Sequence, residues 1–199
     1  MWLINATLNS SLPFRLHLPD GRTRTSLHEL SEAKLAELGV YPCDEIKPPL
    51  EWTQHHGTPV IEVADGRATA TYPVLDYSPE EVAGILEAAK ERKRSEIAAA
   101  RWEAETAGID VNGFTVRSDR ESQALITGAA LKAMQDSTYS CRWKTESGFV
   151  ELTAPQILAI ADAVRAHVQS CFDREAELVA LIEAAESPGE VEEITWSMP

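Results

Sequence analysis

The distribution of apolar and polar positions predicts two kinds of organisation along the chain. From Ser78 onward, apolar residues recur at the spacings i, i+3 and i+4, which give a helix one apolar face. Before Ser78, short alternating runs are separated by glycine and proline, which is typical of strands and turns. We therefore predict an α+β protein, in which residues 1–77 form a small β-containing head and residues 78–199 form a predominantly helical domain with a minor β-hairpin.

Capping chemistry predicts where five helices begin. A serine or threonine followed three residues later by glutamate or glutamine can satisfy the first backbone N–H groups of a helix. The chain contains five such pairs: Ser26/Glu29, Ser78/Glu81, Ser118/Glu121, Thr153/Gln156 and Ser187/Glu190. The first helix should end near Leu38, before Gly39.

The second helix should be unusually long and should join the head to the helical domain. It runs from Ser78 to Ala107, where Gly108 stops it, and spans about 42 Å at about 1.5 Å per residue. Its middle, KERKRSE at 90–96, interrupts the apolar face. We therefore predict a strut with two packed ends and a solvated centre.

The next two helices should pack on each other and on the end of the long one, since both carry continuous apolar faces. After Ser118 the face comprises Ser122, Leu125, Ile126, Ala129, Ala130, Ala133 and Met134. After Thr153 it comprises Ile157, Ile160, Ala161, Val164, Val168, Cys171 and Phe172.

Turn residues predict three short hairpins. Residues 59–73 alternate on either side of Asp65-Gly66, which is a strong hairpin turn. Residues 109–116 contain a second turn at Asn112-Gly113, and residues 149–152 can pair with the segment 139–144. Residues 42–59 are rich in proline and lack periodicity, so we predict a loop there.

Charge argues against nucleic acid as the main partner. The net charge is −14, whereas binding to phosphates requires a basic surface. The charge is uneven, because residues 173–199 carry eight acidic groups against Arg174 alone, while the segment 90–101 carries a net charge of +3. Two interpretations stay open: solvated helix faces, or an acidic surface that docks on a basic partner.

The chain is expected to stay in the cytoplasm of the cell that makes it, or to leave as part of a particle. Its apolar runs are a few residues long, whereas a membrane helix needs about 20. The first residues lack the pattern of a secretory signal. Cys43, Cys141 and Cys171 form no CxxC pair, which favours free thiols in a reducing compartment.

The residue types suited to metal binding or catalysis have simpler interpretations. His55 and His56 with Cys43 lack a fourth ligand at suitable spacing, so a loop surface is favoured over a zinc site. His167 and Cys171 share one helix face and could form a hydrolase pair, but a core histidine and a buried thiol are favoured.

Other motifs of catalysis are absent from the sequence. Asp119 and Glu121 open a helix, where negative charge is favourable without any acid–base role. Neither GxGxxG nor GxxxxGK[ST] occurs. We therefore predict no catalytic, metal or cofactor site, and a protein that is not an enzyme.

Charge asymmetry and a terminal aromatic predict the partner-binding residues. A tryptophan near a chain end is either tucked back or presented to a partner, and tryptophan is enriched at binding hot spots. The predicted set joins the basic segment, the acidic tail and this tryptophan: Arg92, Lys93, Arg94, Glu190, Glu192, Glu193 and Trp196.

Two sets of residues carry a resemblance to phage proteins. In the C-terminal half these are Arg101, 108–113, 115–119, 128–130, Trp143-Lys144, 149–150, 152–154, 167–169, 171–172 and 194–196. This half resembles the domain of unknown function numbered 4376 (DUF4376) of phage tail proteins. In the N-terminal half, residues 18–21, 38–42 and 72–81 are similar to the openings of tail-fibre assembly proteins.

The resemblance implies a bacteriophage tail-fibre accessory protein that binds the tail fibre or receptor-binding protein, foremost as an assembly chaperone. The alternative that it implies is a structural subunit of the virion baseplate or fibre connector. It implies no catalytic residues. It places the protein in the host cytoplasm during assembly, with retention in the virion tail as a second location.

Overall fold

The computed structural model describes residues 1–18, 20–111, 113–145 and 148–197, with the backbone alone at Phe114 and Thr145. Strands predominate in the N-terminal region and helices in the C-terminal region, so the α+β prediction is confirmed. The chain divides into two compact units, Met1–Val82 and Ala83–Pro199. This division lies in the first turns of the long helix, whereas the sequence placed the boundary between residues 77 and 78.

The described residues of the first unit form nine short strands around a mixed sheet. The elements are β1 (Trp2–Ile4), β2 (Thr7–Asn9), β3 (Arg15–His17), β4 (Thr23–Thr25), a 3₁₀ turn (Leu27–Glu29), α1 (Glu32–Glu37), β5 (Val40–Ile46), β6 (Gln54–His56), β7 (Val60–Ala64), β8 (Arg67–Thr71) and β9 (Val74–Asp76). Five strands form the sheet in the order β2-β1-β5-β8-β7, and β5 runs antiparallel to β1 but parallel to β8. The predicted hairpin is confirmed, since Asp65 and Gly66 turn between β7 and β8 with φ of 50° and 78°.

Two predictions for this unit are wrong. The predicted loop 42–59 contains most of β5 and all of β6, because β5 gains partners that are distant in sequence. Ser26 does not cap a helix: its φ of 57° is left-handed, and only a 3₁₀ turn follows. The helix α1 begins instead at Glu32, where the Oγ atom of Ser31 accepts a hydrogen bond from the backbone N–H of Lys34 at 3.4 Å.

The second unit contains most of the helical residues. The remaining elements are α2 (Pro79–Thr106), β10 (Ile109–Val111), β11 (Phe114–Val116), α3 (Arg120–Gln135), β12 (Ser140–Thr145), β13 (Gly148–Thr153), α4 (Ala154–Ala184) and α5 (Pro188–Glu193). The two predicted hairpins are present as β10–β11 and β12–β13. Their turn residues Asn112, Glu146 and Ser147 lie outside the described residues.

Three of the predicted helix starts in this half are confirmed by their hydrogen bonds. The backbone N–H of Ser78 donates to Glu81 at 2.8 Å, and that of Thr153 donates to Gln156 at 3.0 Å. The Oγ atom of Ser187 accepts from the N–H of Glu190 at 3.2 Å. The start at Ser118 is wrong by one residue.

The helix α3 is capped by Asp119 rather than by Ser118. The Oδ1 atom of Asp119 accepts a hydrogen bond from the N–H of Ser122 at 3.1 Å. The buried hydroxyl of Ser118 instead donates to the carbonyl oxygen of Glu105 at 2.5 Å, so it does not cap α3. Aspartate and serine are about equally favourable caps, so the competing contact decides between them.

The helix α4 organises the second unit, since its two halves pack against different neighbours. It is about 46 Å long at about 1.5 Å per residue. Its first half packs on α3 and the hairpins, in a core that includes Ile126, Ala133, Ile157, Ile160 and Val164. Its second half contacts α2, where Ile97 packs on Leu178 and Ile182.

The centre of α2 is not the solvated strut that the sequence predicted. Lys90 and Lys93 are buried, and the ammonium group of Lys90 donates to the carbonyl oxygen of Glu183 at 2.7 Å. Lysine can cover apolar surface with its aliphatic stem while its charge reaches an acceptor, so a basic segment can still be a packed one.

The outer side of α3 also departs from prediction. Leu125 and Met134 were placed on the packed face, but they are 58% and 73% exposed. The buried positions of this helix include Ile126 and Ala133, which face α4. The apolar residues of α3 therefore occupy a wider part of the helix surface than the core of the second unit buries.

Candidate partner-binding surfaces

The predicted basic segment contacts the acidic C-terminal part of the chain within the second unit, where Arg92 and Lys93 both meet Glu192. We call this contact the C-terminal clasp: residues 92–94 of α2 against residues 183–196. The guanidinium of Arg92 is hydrogen-bonded to Glu192. The ammonium of Lys93 lies 3.5 Å from the other carboxylate oxygen of Glu192 and 2.9 Å from Glu96.

Arg94 is the most densely paired cation of the C-terminal clasp. Its guanidinium reaches Glu87 at 2.6 Å, Glu183 at 2.5 Å and Glu91 at 2.8 Å. These hydrogen bonds, that to Glu87 first, raise the pKa of Arg94. The hydrogen bond from Arg92 lowers the pKa of Glu192 below its ordinary value. The charge of Arg94 is therefore stabilised first by the acidic residues of its own helix and then by Glu183, whereas that of Glu192 is stabilised by Arg92.

An apolar layer closes the C-terminal clasp. Val191 of α5 is fully buried and packs with Ala89 and Ala185. Trp196 is half-buried and packs against the cluster formed by Ile97, Leu178 and Ile182. Trp196 is thus tucked back, which is one of the two arrangements that the sequence allowed.

The last two predicted residues lie at the edge of the C-terminal clasp. Glu190 accepts a hydrogen bond from the backbone N–H of Glu186 at 2.8 Å. Glu193 is exposed and forms no ion pair among the described residues. That these residues bind a partner stays a prediction, and a partner using Arg92 or Arg94 would compete with contacts inside the chain.

A buried carboxylate that sequence reasoning missed joins three helices. The side chain of Glu105, at the end of α2, is fully buried. Its carboxylate is paired with Arg101, lies 3.2 Å from the guanidinium of Arg120, and accepts from the amide of Gln123 at 3.3 Å. Arg101 also donates to Glu175 of α4 at 3.0 Å. The i, i+4 spacing of Arg101 and Glu105 permits a helical ion pair, but nothing in the local sequence marks the Glu105 carboxylate as buried.

His167 and Cys171 have structural contacts. The Nε2 atom of His167 donates to the carbonyl oxygen of Ala104 at 3.0 Å, and the sulfur of Cys171 lies 3.9 Å from that same nitrogen. A protonated nitrogen cannot accept the proton of the thiol. Burial also raises the pKa of Cys171, which disfavours the thiolate that a nucleophile requires.

The paired histidines of the first unit also have protein partners. The Nε2 atom of His56 lies 2.9 Å from the carbonyl oxygen of Pro48, and the ring of His55 stacks on Tyr77 with centroids 4.7 Å apart. Across the described residues, no group of three or more His, Cys, Asp or Glu side chains is arranged to hold a metal ion. In the same part of the chain, no helix combines the length and apolar character needed to cross a bilayer.

The hairpin β12–β13 presents an aromatic and basic surface. Trp143 and Val150 face each other across the strands and pack on the core of the second unit, so the alternate residues point outward. On that outer side, Lys144 pairs in register with Phe149, and Arg142 pairs with Glu151. We call these four residues the hairpin face. Phe149 is 72% exposed, and a surface depression is lined by Arg142, Phe149, Val150 and Glu151.

The charges of the hairpin face differ from those of the C-terminal clasp. Within the described part of the chain, neither Arg142 nor Lys144 forms an ion pair. The carboxylate of Glu151 accepts instead from the hydroxyl of Ser140 at 2.8 Å. The hairpin face therefore offers an exposed aromatic ring and two cations that form no ion pair with another described residue, on a chain of net charge −14.

These features define an α+β protein. In its helical unit, ion pairs within the chain hold the C-terminal segment against α2, and a hairpin is exposed elsewhere on the surface of the unit. The family model described as "Domain of unknown function (DUF4376)" matches residues 88–195, which is just over half of the chain. The chain belongs to this family. Comparisons with curated proteins and with solved structures found no match to it.

Proposed function

We propose that the chain is a bacteriophage tail-fibre accessory protein that binds the tail fibre or receptor-binding protein and acts as an assembly chaperone. The resemblance of residues 18–21, 38–42 and 72–81 to tail-fibre assembly proteins supports the phage context. Membership of the DUF4376 family is compatible with this context but assigns no activity. The observation that carries a binding role is the hairpin face.

The hairpin face has the chemistry of a protein-binding epitope. Aromatic residues, phenylalanine included, and arginine are enriched in the cores of protein interfaces. In the hairpin face, Phe149 is the aromatic residue and Arg142 is the arginine. Lys144 adds a second cation beside the ring of Phe149. The partner surface that fits them is an apolar pocket with acidic residues at its rim, since charge complementarity speeds encounter and selects the partner.

The hairpin face is also held in place before any partner arrives. Six residue pairs join β12 to β13, and Trp143 and Val150 pack the inner side on the core. A surface that is already ordered loses less conformational entropy on binding. The proposed epitope is therefore rigid, which suits a protein that holds an unassembled fibre chain in one arrangement.

The test is co-expression of the chain with the tail fibre of the same phage, followed by size-exclusion chromatography and measurement of soluble fibre trimer. We expect soluble trimer to depend on the chain. Phe149→Ala should weaken fibre binding about tenfold or more, which is the loss of a hot-spot residue. The controls are Leu181→Ala, at an exposed position of α4, and Arg165→Glu, which changes an exposed cation elsewhere.

The outcomes separate the two roles of an accessory protein. A chaperone leaves the finished fibre, so mass spectrometry of purified particles should find it absent or substoichiometric. Stoichiometric retention would favour the structural subunit of the baseplate or fibre connector. The proposal fails if the fibre folds alone and never associates with the chain. If Phe149→Ala binds like the controls, the hairpin face is not the binding surface.

A further inference from the structure

The outer side of α3 is an exposed apolar surface that the second unit does not cover. Leu125 and Leu131 are 58% and 56% exposed. Gly128 lies between the two leucines, and a Cβ atom added there would meet nothing within 4 Å. We call Ala124, Leu125, Gly128 and Leu131, with the charged Glu121 and Lys132 at their ends, the α3 face.

We infer that two copies of this chain associate through the α3 face, with their α3 helices antiparallel and crossing at Gly128. At about 100° per residue, positions 121, 124, 125, 128, 131, 132 and 135 share one side of a helix. A two-fold axis beside Gly128 places Ala124 against Leu131 of the second copy. The same axis places Leu125 against the aliphatic stem of Lys132 of the second copy.

The small residues at the centre let the helices approach closely. Two glycines at the crossing point remove side chains between the backbones, and Ala124 lies one turn away on the same side. The leucines then flank the crossing on both sides and lose their exposure to water. Burial of apolar surface is the main favourable contribution to such association.

The charges at the two ends of the α3 face favour a second copy of the chain as its partner, in the antiparallel arrangement. Glu121 lies in the first turn of α3, and Lys132 lies in its last turn. In the antiparallel pair, Glu121 of each copy lies within about one helical turn of Lys132 of the other, so two opposite-charge pairs form. A parallel pair would bring Glu121 to Glu121 and Lys132 to Lys132. The face is therefore complementary to itself in one orientation.

The pairing partners are available for this contact. Among the described residues Glu121 forms no ion pair, and Lys132 has one exposed pair with Asp136 at 3.5 Å. The contact is small, because α3 is about 24 Å long at about 1.5 Å per residue. Interfaces below about 1,200 Å² in total are typical of weak, transient association. We therefore expect a weak dimer that is populated mainly at the highest protein concentrations that remain soluble.

The first experiment is sedimentation velocity of the full chain over a series of concentrations, from low micromolar to the highest that remains soluble. We expect the weight-average mass to rise from monomer toward dimer. Leu131→Gln should reduce dimerisation at least about tenfold, since it removes an apolar side chain from the centre of the contact. Leu181→Gln is the matched control, because Leu181 is 55% exposed but lies on α4.

A charge swap tests the orientation. Glu121→Lys and Lys132→Glu should each weaken the dimer, since each creates two like-charge pairs. The double variant restores both pairs, so its dissociation constant should return to within about threefold of the wild-type value. Circular dichroism of each variant at low concentration shows whether α3 is still folded.

Three results would overturn the inference. They are a monomer at every concentration, equal effects of Leu131→Gln and Leu181→Gln, or a double variant that associates more weakly than either single variant. Dimerisation is independent of the fibre, so these results leave the proposed function untouched. Loss of fibre binding in the Phe149 variant would in turn leave the dimer unchanged.

Discussion

The buried carboxylate of Glu105 provides the strongest test of how the helical unit is held together. Glu105→Gln keeps the size of the side chain but removes its negative charge. Arg101 and Arg120 would then face a neutral amide that is itself buried from water. We expect this variant to lower the free energy of unfolding far more than loss of a surface charge would.

The expected magnitude follows from the partners that remain. Removing one member of a buried ion pair costs about 3–5 kcal/mol, because the other charge is left without compensation. Arg101 keeps Glu175 at 3.0 Å and Arg120 is largely exposed, so the cost should lie near the lower end, at about 3 kcal/mol. For a chain of this size the melting temperature should fall by about 6–12 °C.

The assay is urea unfolding of the full chain, followed by circular dichroism for the helices. The matched control is Glu103→Gln, because Glu103 lies two residues away on α2 and is exposed. A surface change of this kind should alter the free energy of unfolding by about 0.5 kcal/mol or less. Equal unfolding midpoints for the two variants would refute the buried, paired state of Glu105.

Four further predictions concern the rest of the helical unit. Ile97→Ala should cost about 2–5 kcal/mol in urea unfolding, since Ile97 is fully buried. Gly108→Ala should cost about 1–2 kcal/mol, because φ is 88° there and an added Cβ would lie 3.0 Å from a backbone oxygen. Gly84→Ala, in open space within α2, should instead stabilise the chain by about 0.5–1 kcal/mol in the same assay. Arg92 lowers the pKa of Glu192, so their ion pair stabilises the fold fully at pH values above 4.5, the ordinary pKa of glutamate. This stabilisation is lost as the pH falls through the lowered pKa of Glu192. Glu192→Gln should therefore flatten the dependence of unfolding midpoints on pH in the acid range, and an unchanged slope would contradict the ion pair.

Features of this fold that depend on neighbours in sequence could be predicted. The capping of α2 by Ser78 and Glu81 involves atoms three residues apart, so the residues themselves fix the contact. The turn at Asp65 and Gly66 has positive φ at both positions, which these residue types tolerate. The prediction that Ser118 caps α3 was wrong, because its hydroxyl donates to the carbonyl oxygen of Glu105, thirteen residues away. Local sequence does not indicate such a distant acceptor.

Features that depend on distant residues could not be predicted. The strand β5 pairs with β1 and, in parallel, with β8, and no local pattern in its proline-containing sequence indicates either partner. The exposure of Phe149, on which the binding proposal depends, follows from the packing of the opposite side of the hairpin on α3 and α4.

Charge asymmetry along a sequence does not distinguish a surface for a partner from a contact within the chain. The basic segment 92–94 and the acidic residues 183–193 are about ninety residues apart, and each alone has the composition of a docking surface. Because α2 and the second half of α4 run antiparallel, the fold brings Arg94 to Glu183. The short helix α5, which follows α4, brings Glu192 to Arg92. Charges that are neutralised in this way gain less from an external partner, since the existing pairs must first be broken. Charges that form no ion pair within the fold have more to gain from a partner. Among the described residues this holds for Arg142 and Lys144, which is why the binding proposal uses the hairpin face rather than the C-terminal clasp.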